Sequence, residues 1–304
     1  MPQSEPERRT LLLVGDNPFH GISHLSQQRA VARGHDLTNP SYAANLVSIS
    51  LDNGADGFMF TVSETTLSIL RALNKERRSG DLRLYAMVPY AYEFVRMAVL
   101  AGGVPGLARK LGQQIALSGN WRAIASGLKG ALATDPSSLL EAYLYYETAR
   151  LRSAAGRKST IATVMLHELV TDMALALNME WMFKTHINFM LAHGIRPGFE
   201  TRNFAYLVKK FEDWQLDFGK VTIAAPFNSV GFQMCPSREE CEDALRRMPK
   251  TEVIAFSVLA AGYLKLPDAA AYVAKFPTLS GIAVGVSKEQ HARETFKLLR
   301  GNAP

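Results

Sequence analysis

Cysteine is almost missing. The 304 residues hold two, Cys235 and Cys241, and their spacing matches no zinc or redox motif, so both read as incidental. No stretch of eighteen uninterrupted apolar residues occurs, which argues against a transmembrane helix. Met1 to Thr10 is polar and charged and lacks the apolar centre of a signal peptide, so a cytoplasmic location is the default expectation. No run of basic residues is interleaved with aromatics. The net charge of +6 is spread along the chain and reads as a mildly basic surface, with no nucleic-acid partner expected. Also absent are a Gly-x-Gly-x-x-Gly loop, a P-loop and a Gly-x-Ser-x-Gly elbow. One absence is local. Between Phe94 and Thr134 there is no acidic residue, while Arg96, Arg109, Lys110, Arg122 and Lys129 supply positive charge.

What is present is apolar material in short portions. Hydrophobic residues make up 47% and charged residues 20%, enough for a large core. Eight apolar runs recur: Leu11–Val14, Gly57–Thr61, Leu82–Val88, Thr160–Leu166, Ile195–Phe199, Val221–Ala225, Val253–Phe256 and Ile282–Val286. Runs of this length bounded by turn residues suit strands buried on both faces. Most lead into helical patterns, so parallel pairing through right-handed crossovers is expected. The helix starts are legible. Asn39-Pro40-Ser41 opens one helix that runs to about Asn53, and Ser237 and Ser287 each stand three residues before a Glu or Gln in the capping-box pattern. Asn203 to Trp214 carries apolar residues at helical spacing. The reading is an α/β protein, a single (β/α)8 TIM barrel over 1–304, with a helical insertion after strand three at about 91–155. That insertion is a candidate homo-oligomer contact or a lid over the barrel mouth.

In such barrels the reacting groups come from the C-terminal ends of the strands. Strand one is followed by Asp16, Asn17 and His20, where Asp16 is a base, a metal ligand or a partner for His20, or else a turn residue. Ser63 and Glu64 after strand two read as a helix start. His167-Glu168 follows strand four, and His167 is the foremost acid–base candidate because histidine titrates near neutrality. Glu200 and Arg202 follow strand five, and at most one of them is expected to point squarely inward. Phe227 and Asn228 follow strand six, and Ser257 and Gly262 strand seven. Gly285, Ser287 and Lys288 lead from strand eight into a helix, where backbone N–H groups suit an anion.

From Gly198 onward, four segments resemble the aldo-keto reductases: Gly198–Asn203, Ala225–Asn228, Ala255–Leu264 and Ile282–Gln290. The resemblance implies Phe227 in the place of a nicotinamide-stacking tyrosine, His167 in that of a catalytic histidine, and a cofactor phosphate near Ser287. The same family uses an aspartate and a tyrosine at strand two and a lysine at strand three, and Phe58–Val62 and Leu84–Val88 supply none of these at the matching places. The opening Gly15–Phe19 is also similar to that of microbial barrel proteins without an assigned activity. The residues therefore point to an enzyme for a small anionic or phosphate-bearing ligand held at the loops after strands seven and eight, with His167 as acid or base. An NADP-dependent reductase, a divalent-metal isomerase or lyase built on Asp16, His167, Glu168 and Glu200, and a non-catalytic binding barrel stand beside it.

Overall fold

A computed structural model describes residues 9–20, 39–75, 82–90, 135–157 and 159–301, with isolated positions 113, 122, 125 and 126. The eight strands are β1 Leu11–Gly15, β2 Gly57–Thr61, β3 Arg83–Val88, β4 Thr160–Leu166, β5 Arg196–Glu200, β6 Thr222–Pro226, β7 Glu252–Phe256 and β8 Gly281–Gly285. Each pairs in parallel with its sequence neighbours, and β8 closes on β1. All eight expected runs are strands, each end within a residue of its expected place. The fold is thus the (β/α)8 barrel.

Helices cover the outside: α1 Pro40–Asp52, α2 Glu64–Lys75, α3 Pro136–Ala155, α4 Glu168–Ala176, α5 Glu180–Ala192, α6 Phe204–Asp213, α7 Arg238–Arg247, α8 Leu266–Val273 and α9 Glu289–Gly301. Asn39 caps α1 by accepting from the Ser41 amide, and Ser237 caps α7 by accepting from the Glu240 amide, as their side-chain chemistry dictates. Before α2, Ser63 and Thr66 cap each other reciprocally. Helix α3 packs against α2 and α5, so residues 136–155 belong to the third βα unit's own crossover. Residues 91–134 of the expected insertion lie, but for those isolated positions, outside the described residues.

Two packed regions hold the barrel. Between sheet and helices lies a large shell that includes Phe58, Phe60, Phe183, Phe199, Phe211 and Phe296. The lumen is filled by a smaller set, among them Leu11, Leu13, Met59, Tyr85, Met87, Met165, Ile254 and Ala283. Gly198 makes the lumen packing possible, because a Cβ there would stand 2.3 Å from Met165 Cγ and 2.7 Å from Thr163 Cγ2. At the far end of the barrel from the strand C-termini, Arg300 of α9 donates to the Gly54 and Thr10 carbonyls and pairs with Asp56. The last helix is thereby tied to the start of β1. Among the described residues, no helix is long and apolar enough to cross a membrane.

Candidate active site

Side chains two apart along a strand share a face. Inward-facing positions therefore continue past the strand ends as Met59 and Thr61 on β2, Met87 on β3, His167 after β4, Glu200 and Arg202 on and after β5, and Phe256 on β7. All of these line one cavity of about 380 Å³ at the mouth. Asp16, Glu168, Gln233, Ser257, Gly262, Gly285, Ser287 and His291 line it too. The expectation that only one of Glu200 and Arg202 faces inward is thereby corrected, since positions 200 and 202 have the same parity.

His167 begins α4. Its Nδ1 accepts from the Leu169 amide at 3.2 Å, so in the neutral ring the proton sits on Nε2. Nε2 faces Glu200 Oε2 at 3.9 Å, too far for a hydrogen bond between them. Burial holds the His167 pKa below its ordinary value. Glu200 is 8% exposed; burial first, then the neighbouring charge of Glu168, holds its carboxyl well above the usual carboxylate range. Glu200 Oε2 accepts from the Glu168 amide at 3.1 Å. The Glu168 carboxylate is gripped by both Nε (2.6 Å) and Nη2 (2.5 Å) of Arg202. Asp172 of α4 accepts from Thr201 Oγ1 and from the Arg202 amide, which ties the loop after β5 to α4.

Across the cavity, Asp16 is 4% exposed. Its Oδ2 accepts from the Thr61 amide at 2.7 Å and from His20 Nε2 at 3.1 Å. The His20 ring stacks on Tyr90, centroids 5.1 Å apart. His20 thus braces Asp16 and is not itself among the lining residues. The β7–β8 side has a different character. Ser257 Oγ hydrogen-bonds Gln233 Oε1, Gly262 takes φ +90°, and Ser287 is half-buried. Gly285 answers to packing as well as to any ligand, because a Cβ there would stand 2.8 Å from the Pro18 ring.

Three expected contributors sit elsewhere. Phe227 is completely buried, edge-on to Phe204, in the shell between sheet and helices, because its position faces out of the barrel. Asn228 is also buried and spends its amide on the Phe232 backbone and the Ser257 carbonyl. Lys288 is exposed beside the cavity lining. Conversely, Met59, Met87, Phe256, Gln233 and His291 were not singled out by motif. Strand parity was the available signal for the first three; Gln233 sits in an irregular loop and carried none. No three His, Cys, Asp or Glu side chains among the described residues are grouped to hold a metal ion. Within the set Asp16, His167, Glu168 and Glu200, Glu168 turns to Arg202 and Asp16 to His20.

Comparison with protein-family models gives no match, and comparison with curated proteins gives none. Among solved structures, the chain is similar to a proposed aldo-keto reductase from Pseudomonas aeruginosa. The TM-score is 0.56 at 13% identity, covering 99% of this chain and 95% of that one. A second such structure gives 0.57 at 12% identity, covering 99% and 96%. The chain shares the barrel fold of these two structures. At this identity the likeness concerns the fold alone.

Proposed function

We propose that this barrel is an enzyme acting on a small anionic or phosphate-bearing metabolite, with His167 as its acid–base group. The observation that carries the reading is the open pair of His167 Nε2 and Glu200, 3.9 Å apart in a buried cavity. A ligand oxygen bound there meets a ring with a fixed tautomer and a carboxyl whose pKa burial holds well above the usual carboxylate range. Three carboxyl groups against Arg202 make the β1–β5 end unsuited to a ligand's anionic group. The β7–β8 end, with Ser257, Gly262, Ser287 and His291, suits it better, and Ser287 and Lys288 precede the first turn of α9. Calorimetric titration with dihydroxyacetone phosphate and with inorganic phosphate tests this. Ser287→Glu, which puts negative charge at that end, should weaken binding at least about tenfold. Binding indifferent to both Ser287→Glu and His167→Gln would overturn the proposal.

The fold likeness favours a second reading, an NADP-dependent reductase. The residues do not fit a nicotinamide held as the family resemblance implies. Phe227 is sealed in the shell, and Met59 and Met87 occupy the β2 and β3 positions that face the cavity. Tyr85, the nearest tyrosine on β3, is buried in the lumen with its pKa pushed up to about 12, chiefly by that burial. Absence of fluorescence quenching at millimolar NADPH would eliminate this reading.

A further inference from the structure

We propose that the cavity is an enolising site. Asp16 removes a proton from the carbon beside a ligand carbonyl, while His167 Nε2–H and the Glu200 carboxyl hold the carbonyl oxygen. This rests on the acid–base reading above and gives it a reaction.

The donor side has two uncharged groups. The His167 tautomer is fixed by the Leu169 amide, so Nε2 can only donate while the ring is neutral. Burial keeps it neutral. Glu200 commits Oε2 to the Glu168 amide, which leaves Oε1 to carry the proton that burial and Glu168 make it keep. A neutral imidazole and an un-ionised carboxylic acid are an effective pair for oxygen that is gaining charge, because both are preorganised in a low-dielectric pocket.

The base side is a carboxylate. Two donors, the Thr61 amide and His20 Nε2, converge on Asp16 Oδ2 and hold the side chain in place. Its Oδ1 accepts nothing from the described residues. Asp16 lines the same cavity, and its charge is felt by both His167 and Glu200. Between the two sides lie the apolar walls Met59, Met87 and Ala283, which shed water from the reacting carbon.

The step balances without a further reactant. The C–H bond breaks and its proton goes to Asp16. The bonding pair becomes the new C=C bond, and the carbonyl π pair moves onto the oxygen between His167 and Glu200. Once Asp16 has traded that proton for one from solvent, its return to the same carbon gives hydrogen exchange; delivery to the former carbonyl carbon, with the neighbouring hydroxyl giving its proton to the oxygen between His167 and Glu200, gives the isomer. Hydride transfer would need a reductant. Hydrolysis would need a base at the His167–Glu200 end, where both groups are donors.

The test is hydrogen exchange at carbon. Wild-type protein is incubated with dihydroxyacetone phosphate in D2O without nicotinamide, and loss of the C–H signal is followed by proton NMR; binding is measured separately by calorimetry. Exchange should exceed the buffer rate by at least about 100-fold. Asp16→Asn should remove about 100-fold or more, and Glu200→Ala about 10- to 100-fold. His167→Gln, which leaves the Asp16–Thr61 tie untouched, should lower the rate even if Asp16→Asn fails to fold. Binding without exchange, or exchange indifferent to Asp16→Asn and His167→Gln, would overturn the enolising site and leave the binding reading intact. Absence of binding would overturn both.

Discussion

A carboxyl buried beside a second carboxylate keeps its proton to higher pH than an exposed glutamate does, and Glu200 is in that position. Since the account uses Glu200 as a donor, the rate should fall as pH rises through its elevated pKa. Glu200→Gln keeps an N–H donor but cannot titrate. It should therefore lower the rate yet abolish the alkaline limb; a limb that persists unchanged in the pH–rate profile would assign it to another group. Single residues were also where the sequence was hardest to read. His167, Glu200 and Asp16 were legible as polar groups at strand ends. Phe227 was not, because its place in a resembling segment says nothing of which face of β6 it occupies. Glu200 and Arg202 both line the cavity, where at most one was expected to point inward, because two-residue spacing puts them on the same face.

At the level of elements, the site depends on one junction, where the loop after β5 is tied to α4. Asp172 accepts both the Thr201 hydroxyl and the Arg202 amide, and Arg202 then holds Glu168, whose amide holds Glu200. Asp172→Ala leaves those two donors without their acceptor. It should cost about 1–3 kcal/mol in urea unfolding and should lower kcat more than it raises KM, because the chain ends on the donor pair. Unaltered kcat would confine Asp172 to stability. Strands and caps were the most legible elements. Eight apolar runs fixed the barrel, and Asn39 and Ser237 marked the starts of α1 and α7 where their chemistry requires. The loop after β7 was illegible for a physical reason: Ser257, Ala260 and Ala261 all adopt positive φ, and such residues do not announce that conformation.

For the whole molecule, acid stability follows from a histidine that is not among the residues lining the cavity. His186 of α5 is fully buried and hydrogen-bonds the Val164 carbonyl through Nε2. Burial lowers its pKa to about 4. The unfolded chain, with an ordinary histidine value, binds more protons between about pH 6.5 and about pH 4. The contribution of His186 is therefore present above that window and is lost as pH falls through it, by about 3 kcal/mol in all. His186→Leu should flatten the fall in Tm between pH 6.5 and 4, and an unchanged slope would place the acid sensitivity elsewhere. The claim on which the functional account turns is that His167 is a neutral Nε2–H donor at the mouth of the barrel. Nitrogen-15 NMR of the histidine side chains over pH tests it most directly. The account predicts a protonated Nε2 and a bare Nδ1 that persist below the usual histidine pKa and shift when dihydroxyacetone phosphate is added. A proton on Nδ1, or ordinary titration near pH 6.5 with no response to the ligand, would contradict it.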